Sequence, residues 1–588
     1  MNSSSFPAVD RDRLQTVSSV ESIHALKRAT NFQRWFVAAL LAFFVLLSIQ
    51  YSYKAVAGRS AFVRWRSQIE HLDDADIYQR FNYPNPPIMA LLLEWLVRMP
   101  PLVGSLTWFY LKVGMVLVSF YWVFRLVEGS RARSEESRWR IEDRGSKIEE
   151  GRWRIGPCDG SAPSSIIHPR SSILDPRSSS LIPHPSSLIP RPFPPWAKAL
   201  IVILSLRPIM GDLYHNNVNI FILFLLAGSL FAFSRERRMT SGVILGLAIA
   251  CKVTPALFIP YFLWKRAWGA LAGCALGLIL FLLVVPGLFL GMHRNLELLS
   301  SWEKQMIEPF VVNGVVASEH NNQSLPGLVY RLATHSPSFS KFDYDLWRYT
   351  PLEYRNWLAL TPKTVQWLLK GCMAAFVVLV IWTCRTPLSV ASGQWLVASK
   401  KETDSSCLAT SHWPLATHPE GWLLAAEFSL IVIGMLLFSE RTWKHHCVTL
   451  LLPFATIVFY LATQHPTRKL RWFLIGILSM AAMLMASTST SGLFPWWDQG
   501  AKLAQVYGAC VWAYGCLIFG LVVLLRNSKY EARNSKQIQN PKSQTPGQTN
   551  PQASDFGASD LEFVSDFGFR ASEFYSSTPR SDQRNPRA

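Results

Sequence analysis

Asp212, His215, Asn216, Asn217, Asn219 and Lys252 all fall between Arg207 and Pro255, inside or beside segments otherwise apolar enough for lipid. Polar groups at membrane depth are costly unless they face a cavity and a partner, so such a cluster reads as a site by default. The amides and the imidazole suit hydrogen bonds to hydroxyls or to a phosphate. Lys252 lies between two apolar half-helices and is followed by the helix-breaking Pro255, a place from which an ammonium can hold a phosphate as a point charge. Two blander readings compete: a loop rich in turn-forming asparagine, and a lysine that snorkels to the membrane surface.

A second patch, His71-Leu72-Asp73-Asp74-Ala75-Asp76-Ile77-Tyr78, runs into Tyr83-Pro84-Asn85-Pro86-Pro87, so carboxylates sit just ahead of a proline-started helix. Asp73, Asp74 or Asp76 could act there as general base on a hydroxyl. The competing reading is a solvated acidic turn with a helix N-cap. A third patch is Glu319-His320-Asn321-Asn322-Gln323-Ser324-Leu325, whose Asn322-Gln323-Ser324 also fits a glycosylation acceptor. A fourth is Ser439-Glu440-Arg441-Thr442-Trp443-Lys444-His445-His446. Neighbouring histidines project in different directions on a helix and lack the i, i+4 spacing of paired ligands, so no metal is expected at His445 and His446.

The elements that must position these patches are membrane helices. Of 588 residues half are hydrophobic and only 16% charged, with the apolar residues gathered into long runs. Roughly 20 apolar residues span a bilayer, and about ten segments approach or reach that length. The net charge of +19 does not point to nucleic acid, because Lys and Arg gather in the tails, the polar loops and the ends of apolar runs, where topology needs them. Nine cysteines form no C-x-x-C pair and no metal-ligand spacing. No cleavable signal is expected: the uncharged run from Trp35 to Tyr53 is too long for one and should stay as the first span.

The expected organisation is a disordered cytoplasmic N-terminus over 1–30, then first span, outer loop, interfacial helix and second span over 31–127. Residues 128–195 should be a disordered insert, with near-repeats Arg138-Trp139-Arg140-Ile141 and Arg152-Trp153-Arg154-Ile155 and then a Ser/Pro/Ile/Leu tract. A membrane core over 196–384 carries a large outer loop, 293–365; residues 385–419 form another disordered insert, 420–526 the last spans, and 527–588 a disordered tail. Within the core, Arg207 to Asn219 should separate two apolar runs, and a pair of short helices should break at Lys252-Val253-Thr254-Pro255. The D-F-G triplets at Asp555-Phe556-Gly557 and Asp566-Phe567-Gly568 lack every other kinase feature and carry no function.

Tyr-Pro-x-Pro-Pro, Asn-Val-Asn, Lys252-x-Thr-Pro, Asn-Gln-Ser-Leu and Ser-x-x-x-Trp-x-His-His, in this order, resemble glycosyltransferase family 87, also described as DUF2029. The resemblance covers roughly Trp35 to Leu525 without the inserts. It implies an all-α, polytopic GT-C-type helical bundle in the bacterial cytoplasmic membrane, with an extracytoplasmic active site. It also implies transfer of a hexose, mannose in characterised members, from a polyprenyl-phosphate donor to a glycolipid or glycan acceptor, with no further cofactor and membrane lipids as surroundings. By the same resemblance Asn217, Asn219, Lys252, Asn322, Gln323, His445 and His446 would line the donor and acceptor cavity, and the imidazole of His215 is added to these substrate-binding candidates from its own patch. Members usually carry an aspartate in the first outer loop as base, where this chain has Arg59-Ser60-Ala61-Phe62. Asp73, Asp74 or Asp76 would then replace it, the acceptor would differ, or catalysis would be lost. A lipid-linked solute transporter or flippase and a catalytically silent sugar-lipid binder are the rival readings; the broken helices suit the first, although no internal repeat supports it.

Overall fold

In lipid every backbone N–H and C=O must be paired within the chain, so a long apolar run has one solution, the helix. A computed structural model describes residues 38, 42, 45–53, 56, 61–129, 193–343, 348–386, 421–464, 466–489 and 498–539. Among them six helices are long and apolar enough to cross a membrane: Pro101–Glu128, Trp268–Leu290, Pro362–Thr383, Lys444–Thr463, Arg468–Ser487 and Ala509–Asn527. The fold is that of an all-α polytopic membrane protein. The chain divides into two units, Met1–Arg526 and Asn527–Ala588, and of the second only the end of the last helix is described.

In chain order the helices are α1 (Ala61–Ile69), α2 (Ile77–Phe81), α3 (Pro87–Val97), α4 (Pro101–Glu128), α5 (Pro195–His215), α6 (Asn219–Ser234) and α7 (Arg238–Cys251). A short turn Thr254–Leu257 leads into α8 (Phe258–Trp264), followed by α9 (Trp268–Leu290) and α10 (Met292–Trp302). Next come α11 (Leu325–Ala333), α12 (Pro362–Thr383), α13 (Gly421–Leu437), a tight turn Lys444–Leu450, α14 (Leu451–Thr463), α15 (Arg468–Ser487), α16 (Asp498–Val506) and α17 (Ala509–Gln539). Proline opens α3, α4, α5 and α12, where its missing N–H leaves nothing unpaired and its fixed φ suits the first turn.

Three expectations change. Arg207 to Asn219 is not a loop: α5 continues through Pro208 to His215, and Asn216, in the left-handed region at φ 53°, ends it. A polar run need not break a helix when a neighbouring helix supplies its partners. The 293–365 segment is largely structured: besides α10 and α11 it contains a wide-turned helical stretch, Glu303–Val312, and an antiparallel hairpin, β1 (Phe339–Asp343) with β2 (Arg348–Glu353), in which Lys341 opposes Thr350. Finally, α17 runs to Gln539 rather than ending at Leu525, because the polar residues after Leu525 are mostly good helix formers such as Lys, Arg, Glu, Ala and Gln. The inserts at 130–192 and 387–420, with the Arg-Trp-Arg-Ile repeats, and the tail from 540 with its D-F-G triplets lie outside the described residues, as do 1–30 and most of the run from Trp35 to Phe44.

The break at Lys252 is as expected, with that residue extended at φ −159°, ψ 123°. What holds α7 in place was not anticipated. Gly242 and Gly246 on α7 face Gly273 and Gly277 on α9, two G-x-x-x-G spacings back to back; a β-carbon on Gly242 would sit 2.1 Å from the Ala270 carbonyl oxygen, and one on Gly273 2.2 Å from that of Met239. Between membrane helices close backbone approach replaces the hydrophobic effect as the source of attraction. Gly273→Leu is therefore expected to force α7 from α9 and displace Lys252 at the end of α7. Reduced detergent-solubilised folded yield should result, and a wild-type melting profile would refute this packing role.

The core is centred on α13, which is buried along nearly its whole length. Its one carboxylate, Glu427, is fully enclosed and satisfied: Lys265 Nζ lies 2.8 Å from Oε2, the Tyr261 hydroxyl donates to Oε2 at 2.7 Å, and the Thr386 N–H donates to Oε1 at 2.8 Å. A buried carboxylate is tolerated only with such pairing.

Candidate functional site

The site grows from two fully buried, oppositely charged residues, Lys112 on α4 and Asp212 in the last turn of α5, both 0% exposed. Lys112 Nζ donates to the Asp212 carbonyl at 3.1 Å, to Asp212 Oδ2 at 3.4 Å and to the Asn217 carbonyl at 3.2 Å. Three donors thus meet three acceptors, two of them carbonyls at the C-terminal end of α5 and just beyond it, where the helix dipole favours a cation. On its other side the Asp212 carboxylate accepts from Asn219 Nδ2 at 2.9 Å and from the Ile220 N–H at 3.4 Å. Asn219 in turn accepts at Oδ1 from Lys252 Nζ, 2.8 Å away. One continuous chain, Lys112–Asp212–Asn219–Lys252, joins four helices and ends on an ammonium.

Lys252 lines a small, partly open cleft. Asn219, Thr254, Ser439, Thr442 and His446 are among its polar lining, and Ile222, Met435 and Leu436 form its apolar lining. Beyond Asn219, the Lys252 ammonium has no other hydrogen-bond acceptor among the described residues. Beside the cleft, Asn217 Nδ2 lies 3.0 Å from His445 Nε2, which accepts, so the imidazole is neutral with its proton on Nδ1. His446 Nδ1 accepts from the Trp443 N–H at 3.3 Å. The rings of His215 and His445 lie 5.3 Å apart, and those of His445 and His446 4.9 Å. No group of three or more His, Cys, Asp or Glu among the described residues could hold a metal. A cation, an amide and imidazoles over a partly apolar cleft suit a phosphate, hydroxyls and a lipid chain. Residues 83–399, more than half of the chain, match the model of glycosyltransferase family 87.

The chain belongs to that family. It is a membrane glycosyltransferase. No curated protein and no solved structure matches it. The family 87 match begins at Tyr83 of the Tyr-Pro-x-Pro-Pro motif and takes in Lys112, Asp212, Asn219, Lys252 and Asn322, while Glu440, His445 and His446 lie beyond it.

In this transferase the other sequence candidates serve different purposes. Asn322, 1% exposed, is closed to any glycosylation and does not line the cleft. Its Nδ2 donates to the Ala317 and Glu440 carbonyls at 2.8 Å each, and its Oδ1 accepts from the N–H groups of Thr442 at 2.9 Å and Ser324 at 3.2 Å. Gln323 is likewise engaged by backbone, donating to the His320 and Gln505 carbonyls at 2.6 and 2.8 Å and accepting from the Cys510 N–H at 3.4 Å. Both residues latch the 293–365 segment onto the 439–443 loop and α17. Arg331, unremarked in the sequence, completes the latch: its guanidinium donates to the carbonyls of Ser318, Glu319, Asn322, Gln505 and Val506 at 2.7 to 3.2 Å.

The acidic patch splits into three roles. Asp76 caps α2, accepting from the N–H groups of Tyr78 at 2.9 Å and Gln79 at 3.2 Å. Asp74 pairs with His71 at 3.1 Å, and that hydrogen bond holds its carboxyl below the usual range. Asp73 is exposed. None of the three lines the cleft. The backbone of this turn is clasped by Arg294, which donates to the Ala75 carbonyl at 2.6 Å.

Lys112 is the functional residue that sequence reasoning missed, although a lone lysine within the apolar run from Leu102 to Val127 is a signal of its own. His320 offers a pH test of the latch. Burial, together with the positive charges of Arg331, Lys444 and Lys502, pulls its imidazole from 6.5 down to about 4. The unfolded chain therefore takes up this proton first as pH falls, and stability should drop between pH 6.5 and about 4. His320→Phe, which keeps the ring contact with Phe339 (4.8 Å between centroids), should flatten part of that slope in thermal unfolding between pH 7 and 5.

Proposed function

We propose that this transferase moves a hexose, mannose in the first instance, from a polyprenyl-phosphate carrier to a hydroxyl of a glycolipid or glycan, on the extracytoplasmic face of a bacterial cytoplasmic membrane. The observation that carries the reading is Lys252: an ammonium at the break between two membrane half-helices, oriented by Asn219 and facing a cleft with both polar and apolar walls. In such a site the ammonium meets the phosphate of the donor, and charge builds on that phosphate as the glycosidic bond breaks. A preorganised cation at this point lowers the barrier more than it tightens ground-state binding. The apolar wall from Ile222, Met435 and Leu436 accepts the first isoprene units, while Thr254, Ser439 and His446 meet sugar hydroxyls.

The test is transfer of radiolabelled mannose from polyprenyl-phosphate mannose into membrane lipids by the purified chain. Incorporation supports the reading. No incorporation from any lipid-linked hexose, with donor binding retained, would establish a sugar-lipid binder instead.

A further inference from the structure

Attack by a hydroxyl on an anomeric carbon requires a group to take its proton, and a carboxylate at the cleft is the common solution. Asp212 cannot serve: it is fully buried and both oxygens accept from fixed donors. Asp76 is a cap, Asp74 is paired with His71, and Asp73 belongs to a turn that does not line the cleft.

Glu440 is differently placed. It lies in the loop between α13 and the Lys444–Leu450 turn, next to Ser439 and two residues before Thr442; these two line the cleft and Glu440 stands at its edge. The side chain of the buried Asn322 pins this loop at two points, the Glu440 carbonyl at 2.8 Å and the Thr442 N–H at 2.9 Å. Ser439 Oγ lies 3.2 Å from Glu440 Oε2 and 3.1 Å from the Arg441 carbonyl, so its one proton is shared between the carboxylate and that carbonyl. Oε1 has no partner among the described residues, and the residue is partly exposed. Ser439 and Lys252 line the same cleft, so this carboxylate stands beside the site that Lys252 faces.

We propose that Glu440 is the general base that deprotonates the acceptor hydroxyl in this cleft, an assignment that rests on the transferase reading above. The acceptor O–H proton passes to Oε1 as the oxygen forms a bond to the anomeric carbon; the bond from that carbon to the phosphate oxygen breaks, and its electron pair leaves on polyprenyl phosphate beside Lys252. Asn322 is a positioning residue for this step, fixing the loop.

The experiment compares full-length wild type, Glu440→Gln and Glu440→Asp in transfer from polyprenyl-phosphate mannose into membrane lipids, with donor binding followed separately. General-base loss costs about 10²- to 10⁴-fold, so Glu440→Gln should lower kcat at least about 100-fold while the donor dissociation constant stays within about threefold of wild type. Glu440→Asp, which keeps the carboxylate, should recover part of the rate. Active wild type with Glu440→Gln at full rate, or Glu440→Asp no faster than Glu440→Gln, overturns the assignment and leaves the transferase reading intact. So does retention of rate in Glu440→Gln alongside its loss in Asp73→Ala/Asp74→Ala, which would give the base to the acidic turn. Inactive wild type with every lipid-linked hexose removes the transferase reading itself.

Discussion

Lys112→Met should be among the most destabilising single substitutions in this protein. It leaves the Asp212 carboxylate, 0% exposed, without its cation, and leaves the carbonyls of Asp212 and Asn217 without the N–H groups that now satisfy them. Removing one partner of a buried pair typically costs about 3–5 kcal/mol, far more than replacing both. Folded protein recovered in detergent should fall sharply, with a matching loss in denaturant or heat resistance. Lys112→Met/Asp212→Asn should recover a substantial part of the loss, because the neutral amide keeps an acceptor for Asn219 while shedding the unpaired charge. Additive losses in the double variant would falsify the coupling. Surface ion pairs in the same molecule, such as Lys502 with Asp498 at 2.6 Å, should matter little when removed, since exposed pairs contribute about 0–1 kcal/mol.

Lys252→Ala should have a large effect on activity with a small effect on folding. Lys252 is the partly exposed end of the polar chain rather than its buried middle, and its one hydrogen bond leads to an Asn219 that Asp212 continues to hold. Loss of a preorganised charge-stabilising group typically costs about 10²- to 10³-fold in kcat; transfer of labelled mannose should fall by that much while expression and thermal profile stay close to wild type. Lys252→Arg keeps the charge but spreads it over a planar fork too large for the same seat, so partial activity is expected. Full transfer by Lys252→Ala would remove Lys252 from the chemistry.

Local pattern was informative where the physics is local. The long apolar runs became helices, the short helix after Pro86-Pro87 formed where proline pre-sets its first turn, and the chain breaks at Lys252 because Pro255 cannot continue the ladder. The G-x-x-x-G spacings at Gly242/Gly246 and Gly273/Gly277 were equally legible and went unread. Polar residues were the harder case. Arg207 to His215 looked like a break because its polarity was judged against lipid, whereas its reference is the neighbouring helix that carries Lys112.

The sequence by itself determined the membrane setting, the family motifs and the candidacy of two residues, Asn219 in the Asn-Val-Asn run and Lys252 at the helix break. Only the tertiary structure decided which amides face the cleft and which are latches. Asn219 and Asn322 are chemically identical, yet one lines the cleft and holds Lys252 from 33 residues away while the other ties two loops together across 118. Side-chain type and spacing report what a residue can bond to, but the partner comes from another helix, and which helices meet is set by packing between segments far apart in the chain. For the same reason the charge that holds Asp212 came from a lysine 100 residues earlier, inside a run whose hydropathy says only that it spans.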